Sequence, residues 1–410
     1  MTKEKIKDLI AKMTLEEKAA MCSGADFWHT ESCERLGIPA SMVSDGPHGL
    51  RKQDDKADHL GVNESIKAVC FPAGCGPAAS FNRDLLYHMG ETLGNECQAE
   101  GVSVILGPAV NIKRSPLCGR NFEYYSEDPL VASEIAGSLI RGVQSKHVGT
   151  SLKHFLANNQ ETRRMSVDEI IDERTLNEIY LAAFEGAVKK AKPWTVMCSY
   201  NKINGTYTAA HHKYLTETLR DKWGFDGYVM SDWGAVNDRV EDLKAGLDLE
   251  MPSSMGVNDK LIIEAVQNGT LEEKVLDTAV ERILNIVYRY AENRDTEAVF
   301  NLDHDHEVAK KVAEETIVLL KNDGVLPLDA SRYKKIMVTG INADDQNILG
   351  DWSASEKDEN VTTILEGLKM IAPDTQFDFV DQGWDPRNMD PKKVAEAAAR
   401  AKSADLNIVV

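Results

Sequence analysis

Between about residue 37 and residue 290, short apolar runs rich in β-branched residues alternate with longer stretches of helical periodicity. This alternation is typical of βα units that build a parallel sheet or a barrel. Most of the runs are too uniformly apolar for a sheet with one face in water. The candidate strands are Ala40–Ser44, Val102–Leu106, Val148–Lys153, Thr195–Ser199, Tyr228–Ser231 and Leu247–Glu250.

Two amphipathic stripes mark helices of the same region. In each stripe apolar residues recur at three- and four-residue steps, which gives a helix one apolar face. The stripes are Leu176, Ile179, Ala183 and Val188, and later Val275, Ala279, Ile283 and Val287. Asp128 followed by Pro129 predicts an N-cap and a first helical residue, and so a helix that runs to Gln144. We expect the apolar faces of the helices to pack on the outside of the strands.

A polar stretch around Asn293–Asp305 separates two patterns of this kind. We therefore predict a first domain of residues 1–292, a linker of residues 293–305 and a second α/β domain of residues 306–410 that opens with a helix over His306–Lys321. Its predicted strands are Lys335–Thr339, Gln376–Val380 and Leu406–Val410, separated by helices over Thr362–Ile371 and Pro391–Ala401. Because the last apolar run ends without a turn or cap, we expect the chain to stop inside a domain.

The net charge of the chain argues against two classes of binding partner. The chain carries 47 basic and 66 acidic residues, for a formal net charge of −19. Such a charge repels phosphate backbones and anionic lipid, so we expect neither nucleic acid nor a membrane as partner. A polar start at Met1–Lys5, with no run of about 18 apolar residues in the chain, makes the cytoplasm the expected location. The sequence leaves the oligomeric state, a homo-oligomer included, open.

Metal and cofactor motifs are not found in the sequence. The 7 cysteines have no CxxC spacing, which favours reduced thiols over a disulfide framework or a zinc site. His304 and His306 have metal-like spacing but stand in the polar stretch without further ligands, so an exposed turn is favoured. A glycine-rich phosphate loop is also missing, which argues against a nucleotide cofactor. We therefore predict neither a metal nor a cofactor.

Polar residues fall at or just beyond the carboxyl ends of several predicted strands. They are Asp45, Lys153, His154, Tyr200, Asp232 and Trp233. In a barrel these strand ends form the catalytic face, and charged groups at random strand positions would be costly to bury. We expect the side chains of these residues to converge.

A carboxylate beside a large aromatic residue, as at Asp232-Trp233, suits sugar chemistry. The carboxylate attacks or stabilises an oxocarbenium ion, and the indole stacks on the apolar face of a pyranose. The alternative is that Asp232 caps a helix over Gly234–Leu243. Arg164, with Glu161 to hold its guanidinium, is a candidate donor to sugar hydroxyls. Alternatively Arg163-Arg164 is a solvated charge cluster, which we favour for Arg163.

Six segments carry a family resemblance. In chain order they are Met13–Lys18, Val43–Arg51, Gly119–Pro129, Ser151–Phe155, Met197–Asn201 and Ser231–Gly234. Together they resemble glycoside hydrolase family 3, and the resemblance runs through nearly the whole chain. It implies a TIM-type (β/α)8-like barrel followed by an α/β sandwich domain, and no metal.

The resemblance also implies roles for individual residues. Asp232 would be the nucleophile of a double displacement at the non-reducing end of β-linked sugars. The residues expected to hold the glycone hydroxyls are Asp45, Arg51, Arg120, Lys153, His154 and Arg164. Met197 and Tyr200 would line the pocket, and Trp233 would shape the leaving-group side. Leu349–Ser353 resembles a second-domain loop that reaches the pocket, which makes Ser353 a further candidate contact.

One feature separates branches of the family. The N-acetylglucosaminidases carry a Gly- and His-rich segment after their Lys-His pair, whereas Phe155–Arg164 follows the pair here. The resemblance is therefore to the glucosidase and xylosidase branch, in which the acid/base is a second-domain glutamate expected beyond Val410. We expect a retaining β-glucosidase that acts on small neutral β-glucosides or β-linked oligosaccharides. Without that glutamate, natural disaccharides would hardly be hydrolysed.

Three alternatives to a β-glucosidase differ in sugar or in class. A β-xylosidase or α-arabinofuranosidase would keep the chemistry and change the sugar. A non-catalytic sugar-binding protein on a decayed barrel is disfavoured by the retained Ser231–Trp233 motif. A barrel enzyme acting on phosphorylated substrates would want a late glycine-rich phosphate loop, which Gly246–Gly256 does not offer.

Overall fold

The computed structural model describes residues 1–53, 65–344, 361–383 and 386–410. By its contacts the chain divides into two compact units, the first running from Met1 to Ile317 and the second beginning at Val318. The division therefore falls later in the chain than the linker expected at residues 293–305.

Parallel strands form the centre of the first unit. Its strands are β1 (Met42–Ser44), β2 (Val102–Ile105), β3 (Gly149–Phe155), β4 (Asp168–Glu169), β5 (Thr195–Cys198), β6 (Lys202–Ile203), β7 (Thr206–Tyr207) and β8 (Tyr228–Met230). Five of them pair in the order β1-β2-β3-β5-β8, all parallel, and the other three form a small separate sheet. Every residue of β2, β3, β5 and β8 is buried, as the apolar runs predicted.

Isolated β-bridges extend this sheet, so that it curls toward a barrel. Leu249 bridges to β8, Glu250 to Ser23, Gly24 to Thr30, and His29 to β1. This is the (β/α)8-like architecture that the resemblance implied, with irregular closure.

The predicted strand Leu247–Glu250 is wrong as a regular strand. The N–H groups of Asp248 and Leu249 both donate to the Val229 carbonyl, at 2.9 and 3.0 Å. The Asp248 carboxylate accepts the Val229 N–H at 2.8 Å. A side chain thus occupies a position in the ladder that a backbone carbonyl would fill in regular pairing.

Helices surround the strands of the first unit. They are α1 (Lys3–Ile10), α2 (Leu15–Met21), α3 (Cys75–Ala79), α4 (Arg83–Ala99), α5 (Pro129–Ser145), α6 (Glu173–Thr175), α7 (Ala182–Ala191), α8 (Arg239–Ala245), α9 (Val257–Gln267), α10 (Glu273–Ala291) and α11 (Leu302–Thr316). Asp128 caps α5 and Pro129 is its first residue, as predicted. The two stripes are helical too, the first being interrupted by a π-helical turn over Leu176–Tyr180.

The contact between α4 and α5 depends on two glycines. A Cβ on Gly142 would lie 2.1 Å from the Tyr87 carbonyl oxygen, and one on Gly90 would lie 2.5 Å from the Leu139 carbonyl oxygen. Neither distance is tolerable for a carbon atom. The two helix backbones therefore approach each other more closely than any larger residue would permit.

Helix α11 differs from the predicted helix His306–Lys321. The Asn301 side chain accepts the His304 N–H at 3.2 Å and caps a helix that begins at Leu302. His304 and His306 are exposed, and both lie in this helix rather than in the turn that we favoured for the pair. α11 packs on α3 and α4 of the first unit.

The second unit is a small parallel sheet with helices. Its strands are β9 (Lys335–Gly340), β10 (Gln376–Asp381) and β11 (Leu406–Val409), and its helices are α12 (Ile364–Ile371) and α13 (Pro391–Ala401). The strand order is β10-β9-β11. All five elements coincide with predicted ones to within two residues at each end.

Asp242, in the first turn of α8, has a pH-dependent effect on stability. Its Oδ2 accepts the Asn237 N–H at 3.4 Å, and burial raises the pKa of the carboxyl to about 7 despite the charge of Arg239. An unfolded aspartate ionises near pH 3.9, whereas Asp242 in the folded protein holds its proton to a higher pH. The free energy of unfolding should therefore decrease as pH rises from about 4 to about 7. The stability of Asp242→Asn is expected to match that of the unaltered chain at pH about 4 and to exceed it at pH about 8 by on the order of 4 kcal/mol. Urea unfolding of both chains across this range measures the difference, and equal stability at the higher pH would contradict the prediction.

Candidate active site

Side chains from four strand ends meet at one face of the barrel. Asp45 follows β1, His154 lies in β3, Tyr200 follows β5 and Asp232 follows β8. The Tyr200 hydroxyl is 2.9 Å from Asp232 Oδ1, and His154 Nε2 is 3.9 Å from Asp232 Oδ2. The convergence expected from the sequence is thus present.

Asp232 has two chemically different oxygens. Oδ1 accepts hydrogen bonds from the Tyr200 hydroxyl at 2.9 Å and from the Trp233 N–H at 2.7 Å. Within the described ranges, no donor forms a hydrogen bond to Oδ2. The side chain is buried, with 12% of its surface exposed. One oxygen therefore fixes the carboxylate while the other is available to a ligand.

The alternative in which Asp232 caps the following helix is wrong. That helix is α8, and its N-cap is Asp238, whose side chain accepts the Glu241 N–H at 3.1 Å. Trp233 and Gly234 belong to the connecting loop. Asp232 is therefore not needed to satisfy a helix N-terminus.

The buried Lys153 and the partly exposed Asp45 form a pair at the carboxyl end of β1. Lys153 Nζ lies 3.4 Å from Asp45 Oδ1. Burial raises the pKa of Asp45, and the charges of Lys153 and Arg51 oppose that rise. The Arg51 N–H donates to the Asp45 carbonyl at 3.0 Å, which closes the loop between the two residues.

Arg120 links the carboxylate Glu123 to His154. Its Nε donates to Glu123 at 2.5 Å, and its Nη2 lies 2.8 Å from His154 Nε2. Burial acts to raise the pKa of the fully buried Glu123, but the charges of Arg120 and Lys153 outweigh it and hold the pKa below its usual value. Glu123 therefore stays ionised and keeps Arg120 in place.

Arg164 is paired and stacked. Its Nη1 donates to Glu161 at 2.9 Å, and its guanidinium lies 4.8 Å from the centre of the Tyr200 ring. Glu161 also accepts from Asn158 Nδ2 at 3.1 Å. The neighbouring Arg163 is exposed, in keeping with its interpretation as a solvated charge.

Tyr200 is a donor to Asp232. Burial raises the pKa of its hydroxyl, and the negative charge of Asp232 adds to that rise. The hydroxyl keeps its proton and also lies 3.0 Å from the Trp233 carbonyl.

Trp233 stands in an aromatic group beside Asp232. Its Nε1 donates to the Phe27 carbonyl at 3.0 Å, and its ring centre lies 5.4 Å from that of Trp28. Met197 is buried in β5. Ser353, the second-domain candidate, lies outside the described residues.

Sequence reasoning missed two residues of this site, Glu123 and Asn111. Both are buried polar residues in otherwise apolar surroundings. The signal was present, because an acid next to Tyr124 and Tyr125, or an amide between Val110 and Ile112, is expensive to bury without a partner. Their partners are other side chains of the site, which the sequence alone does not identify.

The described part of the chain lacks two further features. It contains no group of three or more His, Cys, Asp or Glu residues that could hold a metal ion. None of its helices is long and apolar enough to cross a membrane. All seven cysteines are free thiols.

The face of the barrel thus carries a buried carboxylate among charged and polar side chains, and two models of one protein family match the chain. The model of the glycosyl hydrolase family 3 N-terminal domain matches residues 32–286, and that of the C-terminal domain matches residues 317–410. The chain belongs to glycoside hydrolase family 3.

Two relatives and one solved structure are similar to nearly the whole chain. The chain is 52% identical over 98% of its length to thermostable beta-glucosidase B of Acetivibrio thermocellus, of which it covers 54%. It is 46% identical over 97% of its length to an exo-alpha-(1->6)-L-arabinopyranosidase of Bifidobacterium longum, of which it covers 53%. The crystal structure of a Bifidobacterium adolescentis GH3 beta-glucosidase superposes with a TM-score of 0.87 at 44% identity, covering 98% of this chain and 57% of that one. The chain thus spans about half the length of the relatives it matches.

Proposed function

We propose that the chain supplies the nucleophile and the glycone pocket of a retaining β-glucosidase. The observation that carries the proposal is the asymmetry of Asp232, whose Oδ1 is held by Tyr200 and the Trp233 N–H while Oδ2 is free of hydrogen bonds within the described ranges. A fixed carboxylate with one unengaged oxygen is what attack on a sugar C1 requires. The beta-glucosidase names of several relatives support glucose as the sugar.

The proposed reaction has two displacements at C1. In the first, Asp232 Oδ2 bonds to C1 as the bond from C1 to the leaving oxygen breaks, and that oxygen takes up a proton from an acid/base carboxyl. In the second, water attacks C1 and gives a proton to the same carboxyl group, the bond to Oδ2 breaks, and glucose leaves with its original anomeric configuration. Tyr200 would stabilise the carboxylate that is regenerated.

The glycone hydroxyls would be bound by charged groups. Lys153, Arg120 and Arg164 are each paired with a carboxylate, which holds the donor in one orientation. The Asp45 carboxylate adds an acceptor. A pocket with donors and acceptors at fixed positions discriminates among sugars by the arrangement of their hydroxyls.

A retaining glycosidase also needs an acid/base carboxyl about 5 Å from the nucleophile. In the branch that the chain resembles, this residue is expected to be a second-domain glutamate. A test of Asp232 should therefore use a leaving group that departs without protonation.

The experiment is covalent trapping. The protein is incubated with 2,4-dinitrophenyl 2-deoxy-2-fluoro-β-D-glucoside, whose fluorine slows the second displacement, and its intact mass is followed. We expect one fluoroglucosyl adduct per chain, mapped to Asp232 by peptide analysis. An adduct on a different carboxylate, or no adduct on folded protein, would contradict the proposal.

The sugar is tested in parallel. The corresponding fluoro-xyloside and fluoro-α-L-arabinopyranoside serve as competitors, the second because of the named relative from Bifidobacterium longum. Faster trapping by the glucoside is expected. Faster trapping by either pentoside, still at Asp232, would keep the nucleophile and change the substrate.

A further inference from the structure

His154 is held by a single asparagine at three points. Asn111 Oδ1 accepts the His154 backbone N–H at 2.8 Å and lies 3.2 Å from His154 Nδ1. Asn111 Nδ2 donates to the His154 backbone carbonyl at 2.9 Å. Both residues are at most 2% exposed, so water does not compete for these contacts.

The backbone of His154 fixes which end of the amide faces the ring. A backbone N–H only donates and a backbone carbonyl only accepts, so exchanging the oxygen and nitrogen of Asn111 would break both bonds. The atom beside Nδ1 is therefore an oxygen. Since a carbonyl oxygen carries no proton, the hydrogen bond to the ring requires a proton on Nδ1.

The other ring nitrogen faces a group that can only donate. Arg120 Nη2 lies 2.8 Å from His154 Nε2, and a guanidinium has no acceptor. Nε2 must therefore be unprotonated. Arg120 is held on its far side by Glu123, so it does not turn away from the ring.

We propose that Asn111 is a positioning residue that fixes His154 as the neutral tautomer with its proton on Nδ1. On the proposed function, this keeps an imidazolium away from Asp232 Oδ2, which lies 3.9 Å from Nε2. A charged ring would form an ion pair with that oxygen and weaken it as a nucleophile.

The surroundings of the ring act in the same direction. Burial lowers the pKa of His154, and the charges of Arg120, Lys153 and Arg164 lower it further. The charged group facing Nε2 that would favour protonation is Asp232. The Tyr124 ring packs edge-on at 6.3 Å between centres and carries no charge at neutral pH.

The first measurement is the tautomer itself. The protein is labelled with ¹⁵N-histidine, and His154 is assigned among the 10 histidines by its absence from the His154→Gln spectrum. We expect a protonated Nδ1 and a bare Nε2 from about pH 5 to about pH 8. A protonated Nε2 of His154 anywhere in this range would overturn the proposal.

The second measurement changes the group beside Nδ1. Asn111→Asp places a carboxylate there, which should favour the imidazolium. We expect both ring nitrogens to be protonated at pH about 6, and the rate of fluoroglucoside trapping to be at least about tenfold lower there and to recover at higher pH. If the protonation of the His154 ring does not change in this variant, the proposed role of Asn111 is overturned. If the ring becomes charged but the pH dependence of the trapping rate does not change, the proposed effect on Asp232 is overturned.

Asn201→Asp is the matched control. Asn201 is fully buried and donates to the Leu156 carbonyl of the same chain segment at 3.2 Å, and within the described ranges it forms no hydrogen bond to His154. This substitution should alter neither the protonation of the His154 ring nor the pH dependence of the trapping rate. If the unaltered protein is not trapped at all, the proposed function fails, while the histidine spectrum still decides the tautomer.

Discussion

Replacing Asp232 by asparagine is expected to lower the rate of hydrolysis of an activated aryl β-glucoside by on the order of 10⁴-fold or more. Asparagine keeps the shape of the side chain, and its carbonyl oxygen can still accept from Tyr200 and from the Trp233 N–H. It removes the negative charge that forms the bond to C1. Steady-state assays on the purified variant measure the loss, and Asp226→Asn, an exposed acid just before β8, is the control expected to keep full activity.

A second variant separates lost chemistry from lost structure. Asp232→Gly leaves space beside C1 that azide can enter from the side of the missing carboxylate. We expect azide to restore turnover and to give the α-glucosyl azide, because the anion performs a single displacement. A β-configured product, or activity of Asp232→Asn within tenfold of the unaltered protein, would show that Asp232 is not the nucleophile.

Asp248→Asn is expected to destabilise the first unit by about 3–5 kcal/mol. The Asp248 carboxylate accepts from Arg220 and from the Val229 N–H through Oδ2, and from Arg282 through Oδ1. The side chains of Asp248 and Arg220 are only 1% and 6% exposed. The substitution leaves a buried guanidinium without its counter-charge, which urea unfolding would detect as a lower midpoint.

The matched change is Glu241→Gln, which breaks the 2.7 Å pair with Lys244 on the surface of α8. Both side chains are more than a third exposed, so we expect a loss of less than about 1 kcal/mol. Equal losses for the two substitutions would contradict the importance that burial gives to Asp248.

The parts of the fold that sequence predicted well are those in which pattern and burial agree. Strand β8 is a continuous apolar run and β10 begins with alternating polar and apolar residues, and both appear where expected. Leu247–Glu250 has a similar pattern, but Asp248 replaces a backbone acceptor and prevents a regular strand. The start of α11 was missed because its cap, Asn301, lies in a stretch whose polarity suggested a loop.

The site divides in a similar way. Residues at strand ends, such as Asp232 and Tyr200, were found because barrel geometry brings strand ends together. Glu123 and Asn111 were not, because they act through Arg120 and His154 rather than from a strand end. Contacts of this kind depend on tertiary structure, and a position in the chain does not reveal them.

Three cations of the candidate site each lie beside an acid. Lys153 lies beside Asp45, Arg120 beside Glu123 and Arg164 beside Glu161. A ligand therefore need not bring a counter-ion into the pocket, and an anionic sugar would compete with carboxylates already in place. On the proposed function, the arrangement favours uncharged sugars over anionic ones.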